Sequence, residues 1–227
     1  MKFSFVFFSV LFTQALWAEL SFTTLNKEVE VKPGQERIEA LFEFTNTSKE
    51  AITIRKFDAP CTCLSAQFTG GSLDEQTGMP SYQAGAKGAV KGILELGKFK
   101  GEINKKILIW SKQDADSSPS VLLTMVVKVP YLITAYPSAH SWNRHEAAKA
   151  KVFAIKVTDA EPMQITGYKV SSKNFDCQLE TVKEGFEFKL TVTPNSTAKT
   201  TFGAIQLTTD SNESRYKKLQ CFVSIKP

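Results

Sequence analysis

The stretch IEALFEFTN, residues 38–46, alternates apolar and polar side chains with a period of two. Ala40, Phe42 and Phe44 fall on one face of an extended chain, and the charged and hydroxyl side chains fall mostly on the other. Because successive side chains of a strand point to opposite faces of its sheet, this alternation predicts a half-buried β-strand.

The same alternation recurs along the first half of the chain, in AITIRKF, GAVKGILEL, NKKILIW and SVLLTMVVKV. Clusters of Gly, Pro, Asn and Ser separate these runs, and the only helix-like stretch, RHEAAKAK, is short. Many short strands with turn residues between them are typical of an antiparallel β-sandwich. We expect one long loop, GGSLDEQTGMPSYQAGAKG, which begins at Gly70.

A second series of strand patterns follows Pro130, from AKVFAIKV to FGAIQLTTD and KKLQCFVSI. Removing 18 of the 227 residues as a leader leaves 209, which suits two domains of about a hundred residues each. We therefore predict an all-β protein with two tandem immunoglobulin-like antiparallel β-sandwich domains, residues 19–130 and 131–227. The last strand of the first domain should continue directly into the second.

The first 18 residues have the pattern of a secretory signal peptide. Lys2 supplies a positive charge, residues 3–12 are mostly apolar, and the small residue Ala18 follows. The apolar part is too short to span a bilayer. We expect cleavage after Ala18, with Ala15 as the alternative, and a mature protein that is soluble, periplasmic or secreted, and not membrane-spanning.

Composition and motifs argue against several classes of function. The net charge of +5 is scattered, and no basic block is interleaved with aromatic residues, so we expect no nucleic-acid partner. The sequence has no phosphate-binding glycine loop and no G-x-S-x-G motif. His140 and His145 lie close together without further ligands or a nucleophile, so we interpret them as surface residues. We predict that the protein is not an enzyme and needs no cofactor.

Cys61 and Cys63 are one residue apart in FDAPCTCLSAQF, residues 57–68. In a regular strand their Cβ atoms would be roughly 6–7 Å apart, whereas a disulfide needs about 3.5–4.5 Å. A bridge therefore requires a bulge or tight turn, which Pro60 favours. The alternatives are structural packing or an inert bridge, a thiol-redox pair, and a metal site in which both thiolates bind Cu(I).

Cys177 and Cys221 fall on the apolar faces of two strand patterns, FDCQLE and LQCFVSI. Both thiols point toward the expected core of the second domain, and we predict a cross-sheet disulfide between them, which requires the two strands to lie in opposing sheets. Such a bridge would stabilise the domain by about 3–4 kcal/mol in the loop-entropy model. The alternative is a pair of buried free thiols that pack as small apolar groups.

The sequence resembles the bacterial domain-of-unknown-function family 1573 over about residues 38–129. The matching residues are Phe42, Phe44 and Asn46, then Cys61 and Cys63, then a turn at Ala84, Gly85 and Ala86, and finally Gly97, Phe99 and Gly101. Thr62 and Leu64 depart from the family's Cys-Gly-Cys-Thr step. The resemblance implies an exported immunoglobulin-like sandwich related to ASH and MSP domains, and it implies no reaction.

These patterns together predict an exported, non-enzymatic binding or structural module of the cell envelope that recognises another envelope protein. One alternative is a pilus-type periplasmic chaperone that uses SVLLTMVVKVP to complete a partner's sheet. Its apolar residues Val121, Leu123, Met125 and Val127 share one face, and we favour the interpretation that they fill the core of the first domain. The other alternative is thiol-redox or copper handling through Cys61 and Cys63.

Overall fold

The computed structural model describes residues 20–227, and the proposed signal peptide lies outside the described residues. All regular secondary structure in this range is β-strand, which confirms the all-β prediction. The helix-like RHEAAKAK contains turn and irregular backbone before the next strand begins at Lys151. Within residues 20–227 there is no helix long and apolar enough to cross a membrane.

The strands are short and follow the alternating patterns of the sequence. In chain order they are β1 (Leu20–Phe22), β2 (Asn26–Glu30), β3 (Arg37–Asn46), β4 (Ile52–Asp58), β5 (Leu64–Thr69), β6 (Ser72–Leu73), β7 (Pro80–Tyr82), β8 (Lys87–Glu95), β9 (Gly101–Ser111), β10 (Val121–Val129), β11 (Ile133–Tyr136), β12 (Ala139–Asn143), β13 (Lys151–Val157), β14 (Ile165–Val170), β15 (Phe175–Lys183), β16 (Glu187–Pro194), β17 (Thr201–Thr209) and β18 (Lys218–Lys226).

Strands β1 to β10 form one sandwich, which we call the first sandwich. Its sheets have the strand orders β1-β3-β8-β5 and β2-β10-β9-β4-β7-β6. All pairs are antiparallel except β2 with β10, which run parallel. The inward side chains of β3, β8, β9 and β10 form its core, with Phe42, Ile107 and Leu123 fully buried.

Strands β11 to β18 form the second sandwich, with sheet orders β11-β13-β16-β15 and β12-β18-β17-β14. Its separate core is built around Trp142, Phe153 and Leu190, all fully buried. Two tandem immunoglobulin-like sandwiches therefore confirm the predicted fold class. The bounds 19–130 and 131–227 stay a prediction, and we propose limited proteolysis between the sandwiches as their test.

Asn46 ends β3 and is completely buried, although it is polar. Its Nδ2 donates hydrogen bonds to the carbonyls of Glu50 and Tyr82, both at 2.8 Å. Its Oδ1 accepts from the amide of Ser48 at 2.9 Å. A buried amide whose donors and acceptor are all used fixes the surrounding loops, because breaking any bond leaves an unsatisfied polar group.

The long loop expected from Gly70 contains two short strands, β6 and β7. Tyr82 of β7 is fully buried, and its ring packs edge-on against Phe44 at a centroid distance of 4.8 Å. A Cβ at Gly88 would lie 2.4 Å from this ring, so glycine leaves the space that Tyr82 fills. Tertiary packing of one aromatic residue thus orders a segment whose composition favours a loop.

The two sandwiches touch beyond the short connection from Val129 to Ile133. The carboxylate of Glu213 accepts a hydrogen bond from the amide of Gly34 at 2.8 Å and lies 3.0 Å from Arg215 Nε. The buried guanidinium of Arg215 also donates to the carbonyl of Gln35. The turn between β17 and β18 therefore anchors the second sandwich to loops of the first.

Candidate functional site

Cys61 and Cys63 form a disulfide in the connection between β4 and β5. The chain is not a strand here: the amide of Leu64 donates to the carbonyl of Cys61 at 3.1 Å, which closes a tight turn. The expected irregularity after Pro60 is therefore present. Both cysteines are half-buried, and the amide of Glu95 donates to the carbonyl of Cys63 at 2.9 Å, which fixes the turn to the end of β8.

Two donors converge on Cys61 Sγ. The amide of Cys63 lies 3.2 Å from this sulfur, and the ammonium of Lys105 on β9 lies 3.5 Å from it. The same ammonium lies 4.5 Å from the centre of the Phe99 ring. Among the hydrogen bonds of residues 20–227, none reaches Cys63 Sγ. The two sulfurs therefore have different surroundings, and negative charge is better stabilised on Cys61.

Sequence reasoning missed Lys105, although a signal was present. In INKKILIW, residues 103–110, the alternation puts Lys105 on the inward face with Ile103 and Ile107, and Ile107 is fully buried. A lysine on the apolar face of a strand needs a partner at the sheet edge. Which partner it finds depends on where the β4–β5 connection passes, and the strand pattern does not specify that.

The disulfide lies beside an uncovered part of β9. Strand β4 pairs with β9 only from Leu108 to Ser111, whereas β10 pairs with it from Gly101 to Ile109. Within the described residues, the segment 101–107 therefore has a strand neighbour on one side only. Unpaired strand edges of this kind can accept an extended segment of another chain.

The part of the chain that carries the disulfide and the uncovered part of β9 matches a protein family. Residues 20–127 match the family described as Protein of unknown function (DUF1573). The first sandwich is a DUF1573 domain. This confirms the resemblance seen at the F-x-F-x-N strand and the cysteine step. No curated protein matches the chain.

Solved structures resemble the protein at low identity. A protein of unknown function from Porphyromonas gingivalis W83 is 10% identical, with 92% of this chain and 97% of that chain covered and a TM-score of 0.34. The ASH/PapD-like domain 7 of human CEP192 is 8% identical, with coverages of 57% and 97% and a TM-score of 0.35. The YadV chaperone is 7% identical, with coverages of 90% and 99% and a TM-score of 0.33.

The Cu(I) site predicted at Cys61 and Cys63 has no free thiolates in this structure, because the two sulfurs are bonded to each other. Within residues 20–227 there is also no group of three or more His, Cys, Asp or Glu side chains that could hold a metal ion. Copper binding by the reduced DUF1573 domain stays a prediction.

Cys177 and Cys221 lie on β15 and β18, which belong to opposing sheets of the second sandwich. Both are free thiols in this structure, which does not contain the cross-sheet disulfide. Burial, with a smaller contribution from the nearby Cys177, raises the pKa of Cys221 to about 12. Burial, with a smaller contribution from Asp176, raises the pKa of Cys177 to about 11. The disulfide stays a prediction for protein folded under oxidising conditions.

The two histidines do not form a site together. The Nε2 atom of His140 lies 2.8 Å from the carbonyl of Val152, and its ring packs against Phe153 at a centroid distance of 4.6 Å. His145 is in a turn with a φ of 64°, and its amide donates to the carbonyl of Thr197 at 3.0 Å. These contacts give each histidine a separate structural role.

The apolar face of β10 is part of the core of the DUF1573 domain. Val121, Leu123, Met125 and Val127 are all buried there. Of the two interpretations of this strand, completing a partner's sheet or filling the core, these side chains therefore follow the second. They offer no free apolar face for completing another protein's sheet.

Two surface cavities flank β1 and meet at Ser21 and Phe22; we call them together the β1 groove. Their volumes are about 640 and 520 Å³. The larger is lined in part by Leu41, and the smaller by Leu25 and Leu122. These three leucines are 41%, 46% and 41% exposed, so the groove presents apolar side chains to solvent.

The β1 groove exists because the chain passes from one sheet to the other between β1 and β2. Strand β1 pairs with β3 in one sheet, and β2 pairs with β10 in the other sheet, only from Thr124 to Lys128. Within the described residues, no strand pairs with Val121–Leu123 on the β2 side. The groove therefore combines exposed leucines with an uncovered strand edge.

Proposed function

We propose that the protein is an exported, non-enzymatic binding module of the bacterial cell envelope, and that it recognises an extended apolar segment of another envelope protein. The observation that supports this most directly is the edge of β10 at Val121–Leu123, which no strand of residues 20–227 covers, beside the exposed side chains of Leu25 and Leu122. Export is supported by the signal-peptide pattern of residues 1–18.

An extended segment fits this place for two reasons. Main-chain hydrogen bonds to a free strand edge supply affinity, and side chains at every second position enter neighbouring pockets and supply specificity. The amide of Thr124 donates to the carbonyl of Leu25 at 2.8 Å, so the main chain at even-numbered positions of β10 faces the β2 side. Leu122 is the next such position, and a bound strand would continue the pairing there.

The test uses a displayed library of eight-residue peptides that alternate apolar and polar residues, selected on the wild-type protein. We expect the selected peptides to bind Leu122→Lys at least about tenfold more weakly, because the substitution places a charge beside the apolar cavity. Val182→Lys is the matched control, since Val182 is 63% exposed in the second sandwich and should leave affinity unchanged.

Peptides N-methylated at alternate positions give a second readout. Methylation of the amides that pair with β10 should abolish binding, and methylation of the intervening amides should not. Equal binding to wild type and Leu122→Lys, or equal tolerance of methylation at all positions, would refute recognition at this edge.

A further inference from the structure

The disulfide turn has features that peptide binding at the β1 groove does not use. Cys61 Sγ receives the amide of Cys63 and the ammonium of Lys105, whereas no hydrogen bond among the described residues reaches Cys63 Sγ. In thiol–disulfide exchange, the sulfur that leaves is the one whose thiolate is better stabilised. A cation and an amide beside Cys61 therefore direct an incoming thiolate to Cys63.

The chain segment that contributes Lys105 to the disulfide turn is suited to an anionic, extended partner. Residues 98–106, KFKGEINKK, contain four lysines and one glutamate. They cover the loop before β9 and the part of β9 that lacks a second strand neighbour. Positive charge attracts thiolates and acidic side chains, and the free edge can pair with an extended main chain.

We propose that the Cys61–Cys63 disulfide exchanges with cysteine thiols on an extended, acidic segment of a partner protein. Cys63 Sγ is the sulfur attacked, and Cys61 leaves as a thiolate held by Lys105 and by the amide of Cys63. This activity is independent of the β1 groove and of any partner bound there.

The exchange balances as two displacements. A thiolate of the partner attacks Cys63 Sγ, which forms a mixed disulfide and breaks the Cys61–Cys63 bond, and the electron pair goes to Cys61. A second thiolate of the partner then attacks the partner's own sulfur in the mixed disulfide and releases Cys63 as a thiolate. The partner loses two protons and two electrons and gains a disulfide, and the Cys61–Cys63 pair takes up two electrons and, through solvent, two protons to become a dithiol.

The first experiment identifies the attacked sulfur in the wild-type protein. The oxidised protein is mixed with reduced glutathione, quenched with N-ethylmaleimide within the first turnover, and digested for peptide mapping by mass spectrometry. We expect glutathione on Cys63 and maleimide on Cys61. The opposite distribution, or an equal one, overturns the assigned direction.

The second experiment measures the role of Lys105. Lys105→Met keeps an unbranched chain beside Phe99 but removes the charge, and Lys106→Met is the control on the same strand. We expect Lys105→Met to slow reduction of the disulfide by about tenfold and Lys106→Met to change it by less than about twofold. Lys105→Arg, which keeps the positive charge, should restore most of the rate.

Titration of thiolate absorbance in the reduced protein separates this effect from a merely structural one. Lys105→Met should move the ionisation of Cys61 to higher pH, since the thiolate loses its cation. If Lys105→Met leaves both the rate and the titration unchanged, Lys105 does not stabilise the leaving thiolate and the proposal is wrong.

The third experiment tests the partner class with two synthetic peptides. Each contains two cysteines in the same framework, with glutamates in one and lysines in the other. At low salt we expect the acidic peptide to reduce the wild-type protein about tenfold faster, with the difference shrinking as salt is added. Equal rates at low salt would exclude an acidic partner.

Discussion

Cys61 and Cys63 lie in a half-exposed turn of the first sandwich, whereas Cys177 and Cys221 lie within strands that face each other in the second. In the turn, a lysine and an amide approach one sulfur. In the strands, burial raises the pKa of both thiols, to about 11 for Cys177 and about 12 for Cys221. One environment favours a thiolate and the other opposes it, so the same residue type supports reactivity in one place and packing in the other.

The largest expected difference between the pairs is in alkylation rate. In reduced but folded protein at pH 8, we expect iodoacetamide to label Cys61 and Cys63 at least about a hundredfold faster than Cys177 and Cys221. Cys177 and Cys221 are almost entirely protonated at this pH, and Cys221 is also fully buried. Peptide mapping over time measures each rate. Fast labelling of Cys221 in folded protein would remove the contrast.

The same reagent, applied to denatured protein without prior reduction, sharpens the comparison. It should label no thiol if the predicted cross-sheet disulfide forms during export, and two thiols per chain if the core pair stays free. Either count leaves the alkylation contrast in reduced protein intact.

Substitutions at the two cysteine pairs should lower the free energy of unfolding for different reasons, one acting on the folded protein and the other on the unfolded chain. Cys221→Ser places a hydroxyl in a fully buried position and should lower the free energy of unfolding by about 2 kcal/mol. Removing the turn disulfide with Cys61→Ser/Cys63→Ser should lower it by about 1.5 kcal/mol, because so short a loop restrains the unfolded chain only slightly.

Reductant distinguishes these two losses in urea-induced unfolding. In protein whose core thiols are free, as in the structure, reductant should lower the stability of the wild type by the amount that the double substitution does, and have no further effect on the double variant. The loss caused by Cys221→Ser should be the same with and without reductant. A loss in Cys221→Ser that disappears on reduction would show that its effect passes through the cross-sheet disulfide.

The smallest expected effect is a pH dependence of stability. In reduced protein, the unfolded thiols ionise near pH 9, while the folded Cys177 and Cys221 stay protonated to about pH 11 and 12. Their raised pKa therefore stabilises the fold fully below about pH 9, and this contribution is lost as the pH rises further. Between pH 7.5 and 9 we expect a fall of roughly 0.8 kcal/mol from the two thiols together.

A matched variant isolates the source of this slope. Cys177→Ala/Cys221→Ala should remove most of it, whereas Cys61→Ser/Cys63→Ser should not. Tyr82 and Tyr216 also have a pKa raised by burial, to about 12, but they act only at higher pH. An unchanged slope in the alanine variant would show that the core thiols are not the titrating groups.

Local patterns were sufficient for the strands and for the irregularity at the cysteines. The alternation of IEALFEFTN corresponds to β3, whose side chains from Arg37 to Phe44 are alternately exposed and buried. On a regular strand, Cys61 and Cys63 would face the same way with their Cβ atoms too far apart for a disulfide. A bridge between them therefore requires a turn, which Pro60 favours. Both inferences concern neighbouring residues, for which backbone geometry alone is decisive.

Features that join distant parts of the chain could not be predicted in the same way. Lys105 meets Cys61 across 44 positions, and the contact depends on where β4 leaves β9. Tyr82 orders β7 only because Phe44 and Gly88 leave a space of its shape. Arg215 lies in a polar turn with no local sign that its guanidinium is buried. Such contacts follow from register and packing, which a single sequence pattern does not contain.

The contacts that join the two sandwiches have a consequence for how the sequence can change. Glu213, Ser214, Arg215 and Tyr216 all approach main-chain groups of the first sandwich: the amide of Gly34 and the carbonyls of Gln35, Gly97 and Pro130. Main-chain groups are the same whatever side chain a residue carries. Loops of the first sandwich can therefore accumulate substitutions without weakening the junction except at Gly34 and Gly97, whose φ angles of 81° and 48° favour glycine, whereas changes within residues 213–216 affect the junction directly. Mutational tolerance at this junction should be one-sided.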